Sequence, residues 1–472
     1  MAKTLRVGLL TAVDRLDPRQ PPEFVGSSLL LQVFEPPFSL PLEGRPSEPL
    51  LFAGPLQQEP DAGGRMVWSG SVRPGVTFSD GTPVTAEHVV QSLAATRALA
   101  GQATAEARGG RVVFTLDRPN ARFHLALTQS GCGVFLEKGG RLLGSGPFAV
   151  APDSSPTRVR LVRNEHYREK VALDAVEYRT YWVDAQGKPS ALLAAIEGGE
   201  VDLCYVLGRD DVSRLTKVRK YILPGASTCF LYLNTRSAQL SDVQVRRALA
   251  HAVDRQALTK LSYTNSLAFT AQSPLPPALG GGRDGLDHDE GKAAELLAAA
   301  ARKPARLSML RVWGPRPYLP DPVRVAESLV ETFGRLGIRV DVSPTRDPAD
   351  YFRQIAAGGH DLYLSGWAAD TPDPADYLEA VLGSRAVPRP GSLAANGNLA
   401  RYESPAMDQA LERYRADPQE ARWRDVLALL REDAPLVPLQ YGAVVQVHSF
   451  QVTRFTPSAF GRVPLGEVDL RE

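Results

Sequence analysis

From residue 190 onward the chain alternates short apolar strands with amphipathic helices, and that rhythm admits few folds. Helix Ser190–Glu197, closed by Gly198-Gly199, leads into strand Val201–Val206. Strand Thr228–Asn234 precedes helix Asp242–Leu261, whose Val245, Ala248, Leu249, Ala252, Val253 and Leu258 mark an apolar face. Helix Glu290–Ala301, strand Arg306–Val312, helix Val323–Leu336, strand Arg339–Val342, helix Ala349–Ala357 and strand Asp361–Gly366 continue the pattern. Helices Pro405–Arg415 and Gln419–Glu432, then strands Val437–Tyr441 and Val444–His448, close it. Such alternation predicts an α/β fold built on open sheets. One stretch breaks the rhythm: Ala271–Asp287 holds Pro274, Pro276, Pro277 and a run of glycines, and reads as a long surface loop.

The first half is less regular. Leu5–Leu10, Val112–Leu116, Phe148–Val150 and Val159–Val162 read as strands, and Val67–Phe78 as a strand and turn broken at Arg73-Pro74-Gly75. Thr85 is placed to cap a helix with Glu87 in its first turn and Val89, Val90 and Leu93 on one face. At 472 residues the chain exceeds what one hydrophobic core organises, so two or more domains are expected.

Charge removes one class of function. Lys and Arg total 54 against 53 acidic residues, a balance that argues against a nucleic-acid partner. The longest basic cluster, Lys217–Arg219–Lys220, is short and reads as a solvated helix end. No apolar run approaches the roughly 20 residues of a membrane span. The opening residues lack the basic-then-apolar order of a signal peptide, so a mature chain without its leader, or a cytoplasmic one, is expected. Cys132, Cys204 and Cys229 show no metal spacing, and burial as small apolar residues is expected of all three.

Catalytic signatures are equally sparse. GxSxG, HExxH and GxxxxGK[ST] are all missing, and no enzyme activity is expected. Gly280–Gly285 matches GxGxxG but follows Pro-Leu-Pro-Pro rather than a strand. Asp287-His288-Asp289-Glu290 reads as helix-capping chemistry, and Asp373 and Asp376 as turn residues, in preference to metal ligands. Asp370 differs, because it directly follows strand Asp361–Gly366, where ligands of open α/β sheets gather. Trp367 beside it has two readings, a core aromatic or a wall against which a ligand lies.

A resemblance carries the reading further. Trp68-Ser-Gly-Ser-Val-Arg-Pro-Gly-Val-Thr-Phe-Ser-Asp-Gly-Thr-Pro-Val-Thr-Ala-Glu-His-Val-Val-Gln-Ser-Leu93 closely resembles the signature of the peptide/nickel family (family 5) of ABC-transporter extracellular solute-binding proteins. Gly144-Ser-Gly-Pro-Phe148, Leu161-Val-Arg-Asn-Glu-His-Tyr167, Glu197-Gly-Gly-Glu-Val-Asp-Leu203, Leu231-Tyr-Leu-Asn-Thr235, Asp242–Arg255, Gly366-Trp-Ala-Ala-Asp370 and Asp433-Ala-Pro-Leu-Val-Pro438 follow in the family's order.

The resemblance implies a two-lobed periplasmic-binding-protein-like fold (type II, cluster C) with an extra subdomain in the first lobe. Lobe I would comprise 1–34, 143–233 and 437–472, the inserted subdomain 35–142, and lobe II 234–436. The two lobes would close on a peptide or peptide-like ligand, and an ABC permease in the membrane would receive it. Asp370 would hold the ligand's α-ammonium, the Gly366–Ala368 edge would pair with its main chain, and Trp367, Tyr441 and Tyr232 would line the pocket. The family implies the periplasm or cell envelope and no obligatory cofactor, with a monomer as the default for a carrier that must expose both lobes; the scattered histidines lend a nickel or haem site little support. The alternative is a cytoplasmic sensor that keeps the binding fold.

Overall fold

A computed structural model describes residues 2–13, 15–20, 24–60, 63–185, 188–205, 209–262, 269–282, 285–314, 316–390 and 397–471. The chain divides into two compact units, Met1–Leu223 with Val444–Glu472, and Pro224–Ala443. It passes from one to the other within two long strands, Val218–Leu233 and Leu436–Ser449.

Among the described residues the first unit has two hydrophobic cores. Strand Thr4–Leu9 lies at the centre of its main sheet, parallel to Ala175–Thr180 on one side and Leu203–Tyr205 on the other. Arg158–Arg163 and Phe148–Val150 extend this sheet antiparallel, and the end of Leu436–Ser449 pairs with Leu203–Tyr205. Leu5, Val7, Leu161, Val176 and Tyr178 are among the buried side chains beneath it. A separate four-stranded antiparallel sheet comprises Gln57–Glu59, Val67–Ser71, Arg111–Leu116 and Ala103–Arg108. Helix Ala86–Thr96 packs there on Phe52, Phe78, Phe114 and Leu127. Thr85 caps that helix reciprocally: its hydroxyl receives the His88 amide while His88 Nδ1 accepts from the Thr85 amide at 3.2 Å.

In the second unit, strands Arg339–Pro344, Arg306–Arg311 and Leu362–Ala368 run parallel. Ser227–Leu233 joins antiparallel to Leu362–Ala368, and the first part of Leu436–Ser449 follows, with the short strand Phe269–Thr270 paired to it. Helix Pro322–Arg335 buries Val325, Ala326, Leu329 and Phe333, an i, i+1, i+4, i+8 stripe as its sequence spacing requires.

Several expectations change. The helix expected over Asp242–Leu261 is two, Val243–Ala252 and Arg255–Ser262, because the Asp254 carboxylate turns back to accept from the Ala257 amide at 3.0 Å and starts a new helix. The strands expected at Val437–Tyr441 and Val444–His448 are one; Gly442 between them stays extended, with Pro317 and Ser227 against its backbone. Strand Val218–Leu233 begins ten residues before Thr228 and takes in Arg219 and Lys220, exposed, with Lys217 just ahead of it, rather than at a helix end. The first part of Ala271–Asp287 is buried, not superficial: Ala271, Ser273 and Leu275 are 0–2% exposed. Val206, expected to end a strand, and residues 283–284 of the glycine-rich loop lie outside the described residues.

Asp289 and Asp373 cap helices Glu290–Ala299 and Pro374–Leu382, and all three cysteines are buried and unpaired. Among the described residues, no helix is long and apolar enough to cross a membrane.

Candidate functional site

The site begins with the backbone of strand Leu362–Ala368. Its parallel neighbour Arg306–Arg311 pairs with Leu362, Tyr363 and Leu364 and then departs, while the antiparallel neighbour continues to Ala368. Val312 N–H donates to Leu364 O at 3.4 Å on the departing side, and Ala369 N–H donates to Ala226 O at 2.8 Å on the other. Backbone groups alternate sides along a strand, so Gly366 and Ala368 direct theirs to the side that Arg306–Arg311 has left. Among the described residues no strand pairs there.

The chain then turns. Ala368 and Asp370 are exposed, whereas Thr371, Pro372 and Asp373 are buried. Thr371 Oγ1 donates to Asp376 at 3.0 Å and accepts from the Asp373 amide at 3.2 Å, and Asp373 accepts from Ala375 N–H at 2.9 Å. This side-chain lattice seats Asp370 on a fixed turn ahead of helix Pro374–Leu382. Trp367 is half-buried; its carbonyl accepts from the Tyr377 hydroxyl at 3.1 Å, and its ring lies against Gly397, where a Cβ would stand 2.7 Å from Cε3.

The parallel neighbour ends at the same end of the sheet, and its following turn brings a cation. Arg316 stacks its guanidinium 3.6 Å from the centre of the Trp313 ring, which packs on Tyr351 at 5.2 Å. Burial lowers the Arg316 guanidinium from its ordinary value. Tyr318, two residues on, lays its ring over Gly366: a Cβ on that glycine would stand 2.5 and 2.6 Å from Cδ2 and Cε2. Burial pushes the Tyr318 phenol up to about 12, with donors from Ser365 and the Gly366 backbone acting against the rise. The turn is held by reciprocal Arg316–Leu319 backbone bonds of 2.9 Å and by Gln440, whose amide donates to Tyr318 O at 2.8 Å.

A strand edge, an exposed carboxylate and a stacked guanidinium at the carboxyl ends of parallel strands form an arrangement for holding a zwitterionic, extended ligand. The model of bacterial extracellular solute-binding proteins, family 5, matches residues 64–388. The chain belongs to this family. Among its curated relatives are heme-binding protein A of Haemophilus influenzae, 24% identical over 68% of this chain, and the dipeptide-binding protein of Pseudomonas aeruginosa, 25% identical over 74%. Those relatives are longer, and the matched segments span 58% and 69% of them. Among solved structures, HbpA2 from Haemophilus parasuis shares the fold with a TM-score of 0.86 at 20% identity, covering 99% of this chain and 100% of that one. A Pseudoalteromonas dipeptide-binding protein in complex with Met-Leu gives 0.74 at 18% identity, covering 99% and 100%. The family 5 fold, with its two lobes and mixed α/β sheets, is thus that of this chain.

Within this family 5 chain the expected residues separate into two groups. Gly366, Trp367, Ala368 and Asp370 are contiguous at the open edge. Tyr441 and Tyr232 are interior. Tyr441 is 4% exposed, and its hydroxyl accepts from Gln272 and Ser273 N–H at 3.2 and 3.0 Å and donates to Ser273 O at 3.2 Å. It fastens the buried Ala271–Leu275 segment to the strand. Tyr232 is 0% exposed, paired across the sheet with Tyr363 and packed on Phe230 at 5.3 Å; its mid-sheet position places it in the core instead of a pocket wall. Arg316 and Tyr318 went unnoticed in the sequence. Their signal was the Arg-Pro-Tyr turn directly after a predicted parallel strand, the same position that singled out Asp370.

Proposed function

We propose that this chain captures short peptides or peptide-like zwitterions as the soluble component of an ABC importer. The open strand edge at Gly366 and Ala368, running into the exposed carboxylate of Asp370, carries this reading. Asp370 receives the ligand's α-ammonium, Ala368 and Gly366 pair with its main chain, and Trp367 forms a wall. Arg316, held on Trp313, is the cation for the ligand's carboxylate. Tyr441 and Tyr232 support these groups from behind.

Residues 35–142 would form a subdomain inserted in lobe I (1–34, 143–233, 437–472), with 234–436 as lobe II; the second hydrophobic core around Phe52, Phe78 and Phe114 supports this division. The partner would be a membrane permease, the compartment the periplasm or cell envelope, and the working form a monomer. Relatives named for peptide binding support the ligand class.

Thermal shift of the purified protein with di- to hexapeptides tests the proposal. A ligand at 100 times its dissociation constant adds about 2.7 kcal/mol of apparent stability. Shifts are expected with free-amine peptides, and are lost on N-acetylation and in Asp370→Ala. Haemin, suggested by the name of one relative, is the competing ligand; a shift with haemin alone would replace the peptide reading.

A further inference from the structure

The second core of the first unit opens on one side into a cleft of about 290 Å³, floored by Phe38 and Phe123 and rimmed by Pro49, Pro55, Leu56 and Trp68. The floor is rigid: Phe38 and Phe123 are each 2% exposed and pack on Phe52 at 5.9 Å and on Phe114 at 5.2 Å. The half-buried Trp68 ring is oriented by its indole N–H, which donates to Asn120 O at 3.3 Å. The Pro49 carbonyl accepts from Arg73 Nη2 at 2.8 Å, so the rim is pinned as well.

One polar ring enters this aromatic wall. His124 lines the cleft half-buried, with its imidazole 5.5 Å from the Phe38 ring and without a hydrogen-bond partner among the described residues. Burial, with the Arg122 charge nearby, holds it below its ordinary 6.5. At neutral pH it is therefore uncharged and offers one N–H and one lone pair. Ser47, also in the lining, gives its hydroxyl hydrogen to Ser39 O at 2.7 Å.

We infer that this cleft binds an uncharged, planar, fused-ring heteroaromatic molecule of the indole type, laid on the Phe38, Phe123 and Trp68 rings with its N–H on the His124 imidazole. An apolar cavity of about 150 Å³ accommodates one benzene ring, and this cleft has about twice that volume, the space of two fused rings. Aromatic walls reward a ring over an aliphatic chain. A charged ligand would lose its hydration with no countercharge in the lining, and a pure hydrocarbon would leave His124 unpaired. The site is independent of the peptide reading, since every lining residue belongs to the first unit and Asp370 to the second.

Titration with indole, followed through the tryptophan side-chain N–H signals in nuclear magnetic resonance, tests the site; Trp68→Phe identifies the Trp68 signal. Wild type should shift that signal with a dissociation constant below about 1 mM. N-methylindole, which lacks the N–H, should bind at least about fivefold more weakly than indole to wild type, and within about twofold of it to His124→Phe. Ala121→Phe, or Ser47→Phe should the first variant not fold, fills the cleft and should abolish the shift. Asp370→Ala should bind indole as wild type does. A Trp68 signal unmoved at about 5 mM indole, or one that still moves in the filled variants, would overturn the site. Equal binding of indole and N-methylindole to wild type would overturn the ligand class, and loss of indole binding in Asp370→Ala would move the ring to the second unit.

Discussion

Arg168 grips Glu35 through two parallel bonds of 2.8 Å, Nη1 to Oε2 and Nη2 to Oε1, in the interior of the first unit. Ser145 Oγ donates to the same carboxylate at 2.9 Å and the Tyr167 hydroxyl at 3.3 Å. The Arg168 and Glu35 side chains are only 13% and 3% exposed, and burial with the neighbouring carboxylate raises the Tyr167 phenol above its ordinary value. Glu35 precedes and Ser145 follows the stretch that builds the second core, so this cluster ties together the chain's entry to and exit from it.

Removing one partner leaves a buried charge alone. Arg168→Met should cost about 3–5 kcal/mol in equilibrium denaturation at neutral pH, and Glu35→Leu with Arg168→Met should cost much less than either alone. A loss below about 1 kcal/mol for Arg168→Met would show the pair to be well hydrated.

Gly366→Ala places a methyl group inside the Tyr318 ring's contact distance and against the neighbouring strand. The expected loss is about 1–3 kcal/mol, as for overpacking elsewhere. Adding Tyr318→Ala should recover part of it, a coupling that a double-mutant cycle in urea measures. Strict additivity would mean the two residues do not meet.

Tyr441→Phe deletes the partner of one buried and one part-buried amide. It should cost about 1–3 kcal/mol and raise hydrogen exchange at Gln272 and Ser273 above that of the surrounding strand. Unchanged protection at both amides would contradict the fastening role.

Acid should weaken the first unit through His448. This imidazole is 2% exposed, stacked on Tyr221 at 5.5 Å and tilted against Phe455 at 4.8 Å, with Nδ1 donating to Ser449 O at 2.8 Å. Burial lowers it from its ordinary 6.5, and Arg219 adds to the shift. The unfolded chain then takes up a proton that the folded protein refuses, so stability falls as pH drops below about 6.5. Between pH 7 and 5, wild type should lose more thermal stability than His448→Asn. Parallel curves for the two proteins would exclude His448 as a contributor.

The sequence was most legible where short-range chemistry decides structure. Helix Ser190–Glu197 has the limits that its apolar spacing and Gly198-Gly199 imply, and Thr85 caps the helix it was expected to cap. It was least legible where distant partners decide. Pro224 and Gly225 are turn residues by local preference, yet they lie inside a sixteen-residue strand whose pairing comes from residues far along the chain. Asp254 was hidden for the opposite reason: one side-chain bond to Ala257 outweighs an apolar face that continues across the break.

By itself the sequence determined the α/β class, the family and the candidate segment Gly366–Asp370, because periodicity, capping and motif order are written in neighbouring residues. Only the tertiary structure decided which aromatic and charged side chains stand at that segment. It turned Tyr441 and Tyr232 inward, since their strands sit mid-sheet. It brought the Tyr318 ring over Gly366 and Arg316 onto Trp313, since two parallel strands end on the same side. Sheet pairing between residues some fifty positions apart makes those choices, and no local pattern encodes it.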